Sequence, residues 1–181
     1  MKPTLTALGG ALLLALSACA PVTDLWPHRG DTVAVSLSAA GAEDLIRSRF
    51  EDPDWEGTGG SRPARLAWMT PALAEASLRL DAMTGGYGVG MEPSMGSPYI
   101  YATEARYQTR QTPYGAEVTV RFLNTNEPRE TRFEMVMTEA GWRVADIVGT
   151  DVASGRTWRY TEQMAEVFAA ITRGEQVDDP S

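Results

Sequence analysis

The reactive side chains of this 181-residue sequence are few: one cysteine, one histidine and a handful of carboxylates beside apolar neighbours. Cys19 lies in "ALLLALSACAP", directly behind an apolar run. A thiol can bridge, bind metal, attack an electrophile or accept a lipid, and with no second cysteine an internal disulfide is excluded. His28 would be the first choice for a general base, metal ligand or pH sensor. It lies beside Pro27 in "APVTDLWPHRGD", with no Cys or second His at ligand spacing, and is given no role. Asp146 alternates with Trp142 and Val144 in "WRVADIV", so its carboxylate falls among apolar neighbours. Burial there would raise its pKa toward general-base range. The competing expectation is a carboxylate that accepts backbone N–H groups or pairs with Arg143 or Arg121. Trp68, Tyr99, Tyr101, Tyr107 and Trp142 would line a ligand pocket with it, or else pack as plain core. No metal-ligand cluster and no cofactor fingerprint is present, and no Ser/His/Asp set can be assembled from the domain.

Residues 84–98, "TGGYGVGMEPSMGSP", invite a phosphate-loop interpretation that the spacing does not support. A dinucleotide fingerprint needs G-x-G-x-x-G between strand and helix, and a Walker loop needs a following Lys. The stretch is therefore expected to be a mobile surface loop, on which Tyr87 and Met91 could touch a partner or fold over a pocket. Charge excludes more. The chain carries a net −8, and without residues 1–18 it holds 15 basic against 24 acidic groups, a net −9. That balance argues against nucleic acid and against an electrostatic grip on anionic lipid.

The amino terminus has the three-part grammar of a secretory signal: Lys2, an apolar stretch from Leu5 to Leu16, then small residues. Twelve positions are too few for a transmembrane helix, which needs about 20. "ACA" satisfies ordinary signal cleavage after Ala20, but Pro21 would follow that scissile bond with its fixed φ and missing N–H. Leu16, Ser17, Ala18 and Cys19 resemble the bacterial lipobox at all four positions. The resemblance implies that the thiol is alkylated with diacylglycerol and the chain cut just before it, leaving a triacylated lipoprotein in the membrane. Two acyl chains already anchor stably. Ala20 rather than Asp after the cysteine implies the outer membrane, facing the periplasm, in enteric-type bacteria.

Several elements must position these residues. Residues 1–18 are expected as the signal peptide, 19–37 as anchor and tether, 38–174 as one domain and 175–181 as an acidic tail. Ser38 should cap a helix with Ala42, Leu45, Ile46, Arg49 and Phe50 on one face. Short helices follow at 63–69 and 71–82, the second opened by Thr70 and Pro71. From Tyr99 the period becomes two, giving four strands in an antiparallel meander. Ala116, Val118, Val120 and Phe122, then Thr131, Phe133, Met135 and Met137, face the core, while Arg and Glu alternate outward. Tyr160, Met164, Val167, Phe168 and Ile171 make 159–173 an amphipathic helix. Helices followed by a curved antiparallel sheet is an α+β pattern.

"VTVRFLNTNEPRETRFEMVMTEAGWRVADI", residues 118–147, resembles the strand pair and W-R-[IV]-x-D-I signature of a bacterial envelope family of uncharacterised function. "RLAWMTPALAEA" is similar to that family's "FLTP-x-L" segment. The resemblance covers most of 38–158 and implies a nuclear transport factor 2-like, cystatin-like cone; it supplies no catalytic residues. The glycine segment and the extended last helix depart from the family's pattern. Three functions stay open on these residues. The first is a non-enzymatic lipoprotein accessory that binds an envelope protein. The second is a module for a small apolar or peptidic ligand. The third is pocket catalysis by Asp146, which requires a carboxylate free of any Arg partner.

Overall fold

A computed structural model describes residues 38–175. Four helices, α1 (Ala39–Phe50), α2 (Arg62–Leu66), α3 (Pro71–Thr84) and α4 (Tyr160–Thr172), accompany strands β1 (Ala102–Thr112), β2 (Gly115–Asn124), β3 (Glu127–Thr138), β4 (Gly141–Asp151) and β5 (Thr157–Arg159). The class is α+β, with an open antiparallel sheet in the order β1-β2-β3-β4-β5. The Cys19 motif and the acidic tail beyond Glu175 lie outside the described residues.

Local chemistry accounts for the helix ends. Ser38 Oγ accepts from Ala40 N, Thr70 Oγ1 accepts from Leu73 N with Pro71 at the first helical position, and Gly85, in the left-handed region at φ 68°, closes α3. α2 stops three residues earlier than its sequence pattern predicts. Trp68 O accepts from Val144 N and Thr70 N donates to Val144 O, both at 2.8 Å. β5 pairs only with Val148–Thr150 of β4, so Val144 sits on an open edge whose peptide groups need partners. The Trp68–Thr70 backbone supplies them instead of continuing the helix.

Alternation along the strands buries Val118, Val120, Phe133 and Val144 completely, and against them lie Ile46, Met69, Leu73 and Leu80. The opposite face is an ion-pair lattice, with Arg110–Glu117 and Arg121–Glu130 at 2.6 Å and Arg159–Glu134 at 2.7 Å. Two features depart from expectation. A fifth strand of three residues occupies 157–159, too short for any period to register, and the helix expected from 159 begins one residue later at Tyr160. The segment 84–98 is not a detached loop, because its second half is built into the fold.

Candidate functional site

Residues 92–97 close on themselves: Glu92 N donates to Ser97 O and Gly96 N to Glu92 O, each at 2.9 Å. Met95, at 1% exposure, joins the core, and Ser94 O accepts from Thr131 Oγ1 of β3 at 2.7 Å. Trp158 Nε1 of β5 donates to Pro93 O at 2.8 Å, and its ring crosses Gly96 and Gly149. A Cβ on either glycine would lie 2.2 or 2.0 Å from the ring, so both positions exclude a side chain. The expected mobile loop is thus pinned to the sheet by one tryptophan and by the side chain of Glu92.

Glu92 is the hub. Its Oε2 accepts from Thr58 N at 2.7 Å and Thr58 Oγ1 at 2.9 Å; its Oε1 accepts from Ser94 N at 3.1 Å and Ser94 Oγ at 2.5 Å. Burial pushes the Glu92 carboxyl up, opposed by the Ser94 and Thr58 hydrogen bonds, which favour the carboxylate. Beside it runs a second buried polar chain. Tyr160 OH lies 2.7 Å from Ser77 Oγ, Arg65 Nη1 donates to the same Ser77 oxygen, and Arg65 Nη2 pairs with Asp81. Burial pushes the Tyr160 phenol up as well.

Of these groups Thr58, Asp81, Glu92 and Tyr160 line an open cleft of about 400 Å³, walled by residues 86–92 with Pro98 and Ile100. Tyr87 and Met91 line it, with Tyr87 59% exposed. Its side chains include the carboxylates of Glu56, Asp81 and Glu92 and no basic group. Such a lining can hold a cationic group against the carboxylates and apolar surface against the rim. Among the described residues no group of three potential metal ligands is gathered.

The five aromatic residues proposed around Asp146 are not brought together. Tyr99 and Tyr101 are 68% and 63% exposed, because they precede β1 and are held through their backbone, by the Asn124 amide and, for Tyr99, by Ser97 Oγ. Trp68 is core, edge-on to Trp55 with centroids 5.8 Å apart, and Trp142 packs beside Gly41. Tyr107 lies under the Arg47 guanidinium, 4.0 Å from its ring centre. Asp146 is buried but occupied: Oδ2 takes Arg159 Nη1 at 2.6 Å and Thr161 Oγ1 at 2.7 Å, while Oδ1 takes Ile147 N and Thr161 N. The arginine partner is Arg159, neither Arg143 nor Arg121. In this geometry Asp146 caps α4, whose own N-cap residue, Arg159, offers no side-chain acceptor. The free carboxylate that pocket catalysis requires is not what Asp146 presents.

Arg159 also grips Glu134 through two bonds of 2.7 and 3.0 Å, which hold the Glu134 carboxyl below its ordinary 4.5. Arg159→Met is expected to destabilise the fold by about 1–3 kcal/mol, since two carboxylates lose their charged donor. A lowered carboxyl contributes stability above its unfolded pKa and loses it as pH falls through the folded value. Urea titrations between about pH 3 and 7 should therefore show the variant's deficit shrinking at the acidic end. An equal deficit at every pH would reject the ion-pair assignment.

No family model, no curated protein and no solved structure matches the chain. The class that the fold and cleft define is an α+β domain with an acidic, aromatic-rimmed groove. Glu92, Ser77 and Arg159 organise this region although no sequence motif marks them. One signal existed: Glu92 is the only charged residue of 84–98 and lies between Met91 and Pro93.

Proposed function

We propose that this chain is a lipid-anchored bacterial envelope protein held through Cys19, whose body is a non-enzymatic module that binds another envelope protein. We further propose that its sheet and helices form a nuclear transport factor 2-like cone, and that it sits on the outer membrane facing the periplasm. The cleft walled by residues 86–92 supports the binding role: an apolar rim beside the Glu56 carboxylate, unpaired among the described residues, makes a surface for capture. The lipobox residues Leu16, Ser17, Ala18 and Cys19 support the anchor. A second reading places a small apolar or peptidic ligand in the same cleft, whose volume falls within the roughly 300–1,000 Å³ typical of ligand sites.

Crosslinking in intact cells, with wild type and Cys19→Ser compared and both lipid state and captured protein read by mass spectrometry, tests the proposal. The expected result is a triacylated wild type with one dominant partner. The Cys19→Ser chain should be soluble or uncleaved and lose that partner. Normal membrane recovery of Cys19→Ser would overturn the anchor. A lipidated wild type without a partner would overturn the accessory role in favour of the second reading, which predicts a ligand-dependent rise in melting temperature.

A further inference from the structure

Resting on that binding role, we infer that the cleft receives an arginine- or lysine-bearing peptide segment of the partner, its cation toward Glu56 and Asp81 and its apolar flanks on Tyr87 and Ile100. Charge carries the assignment. Among the described residues Glu43, Glu117, Glu130, Glu134 and Asp146 each have an arginine at 3 Å or less, while Asp44, Asp52, Asp54, Glu56, Glu104, Glu139 and Glu166 form no ion pair, and of these Glu56 alone lines the cleft. Around the cleft only Asp81 has one, Arg65, which occupies Oδ2. Glu56 has no ion-pair partner among the described residues. Glu92 contributes field but no free lone pair, since four donors already use its oxygens.

The competing occupants fit less well. An anion would meet three carboxylates and no lining cation. A neutral apolar ligand would cover Glu56 and leave a desolvated charge unpaired. A metal ion finds no group of three potential ligands among the described residues. A peptide suits the wall, because Gly86, Gly88 and Gly90 present backbone with no side chain and let another chain approach closely. The exposed Tyr87 ring offers a face on which a guanidinium can stack. The protein's net −8 would steer such a segment from a distance.

Calorimetric titration of the full chain in detergent tests this, with the capped peptide Gly-Leu-Arg-Leu-Arg-Leu-Gly, its counterpart with glutamate for arginine, and spermidine as probes. The arginine peptide is expected to bind at least about tenfold more tightly than the glutamate peptide, and more weakly as salt rises past about 0.15 M. Glu56→Gln should weaken it roughly threefold and Tyr87→Ala about tenfold. Both positions are exposed, so folding is not at stake. Equal binding of the two peptides, indifference to both variants, or spermidine binding as tightly as the peptide would each overturn the inference. Peptide binding that survives while Cys19-dependent capture fails would count against the lipoprotein proposal alone. Capture that survives without charge preference would count against this inference alone.

Discussion

Glu92→Ala is expected to remove about 3 kcal/mol or more of unfolding free energy, because two backbone N–H groups and two hydroxyls would face a void in place of one carboxylate. Glu92→Gln separates shape from charge. Its single carbonyl oxygen can accept from either Thr58 or Ser94 but not both, and although a hydroxyl can rotate to accept, a backbone N–H cannot. A loss of about 1–3 kcal/mol should follow. The pH dependence carries a definite sign. Burial raises the Glu92 carboxyl above its ordinary 4.5, so the folded chain holds that proton more tightly than the unfolded chain does. The contribution is then complete below the unfolded pKa and is lost as pH rises through the folded value. Glutamine does not titrate. Urea titrations at a series of pH values should find the gap between wild type and Glu92→Gln narrowing as pH rises above 4.5. A gap that widens would mean that the four hydrogen bonds outweigh desolvation.

What could be read from the chain, and what could not, divides along the same line of locality. Ser38, Thr70 with Pro71, and the alternations at 116–122 and 131–135 act on neighbours a few residues away, and the structure has them where the pattern predicts. The early end of α2 was not legible, because its cause is an open β4 edge more than 70 residues further along. Nor was the hub: Thr58 and Glu92 are separated by 34 residues, Pro93 and Trp158 by 65, and Ser77 and Tyr160 by 83. Five glycines in 84–98 signal backbone freedom, yet in this fold Gly96 is required for contact with Trp158, a reason no composition reveals. The aromatic residues misled in the opposite sense. Tyr99 and Tyr101 share a strand-like alternation with Tyr107, but β1 begins only at Ala102, so the first two never reach the core face.

Trp158 is where the segment that walls the cleft and the sheet become one structure, and its replacement should have the largest effect of all. Trp158→Ala is expected to cost about 3–5 kcal/mol through the cavity it leaves. It would also strip Pro93 O of its donor and free residues 92–97 from β5. Stability alone cannot separate this clamp from an ordinary core tryptophan, but the two glycines can. In the wild type, Gly149→Ala would drive a methyl to 2.0 Å from the indole, for a loss of about 1–3 kcal/mol. With the indole absent the same methyl enters the space it vacated, so Gly149→Ala in the Trp158→Ala background should be close to neutral or slightly stabilising. The cycle therefore predicts a coupling of about 1–3 kcal/mol between the positions, measured by urea unfolding of the four proteins. Gly149 is the better probe than Gly96, whose φ of 62° would add backbone strain to any substitution. Strict additivity would show that the ring does not rest on Gly149. Coupling together with faster proteolysis of 84–98 in Trp158→Ala would tie the wall of the cleft to a contact made entirely on the sheet.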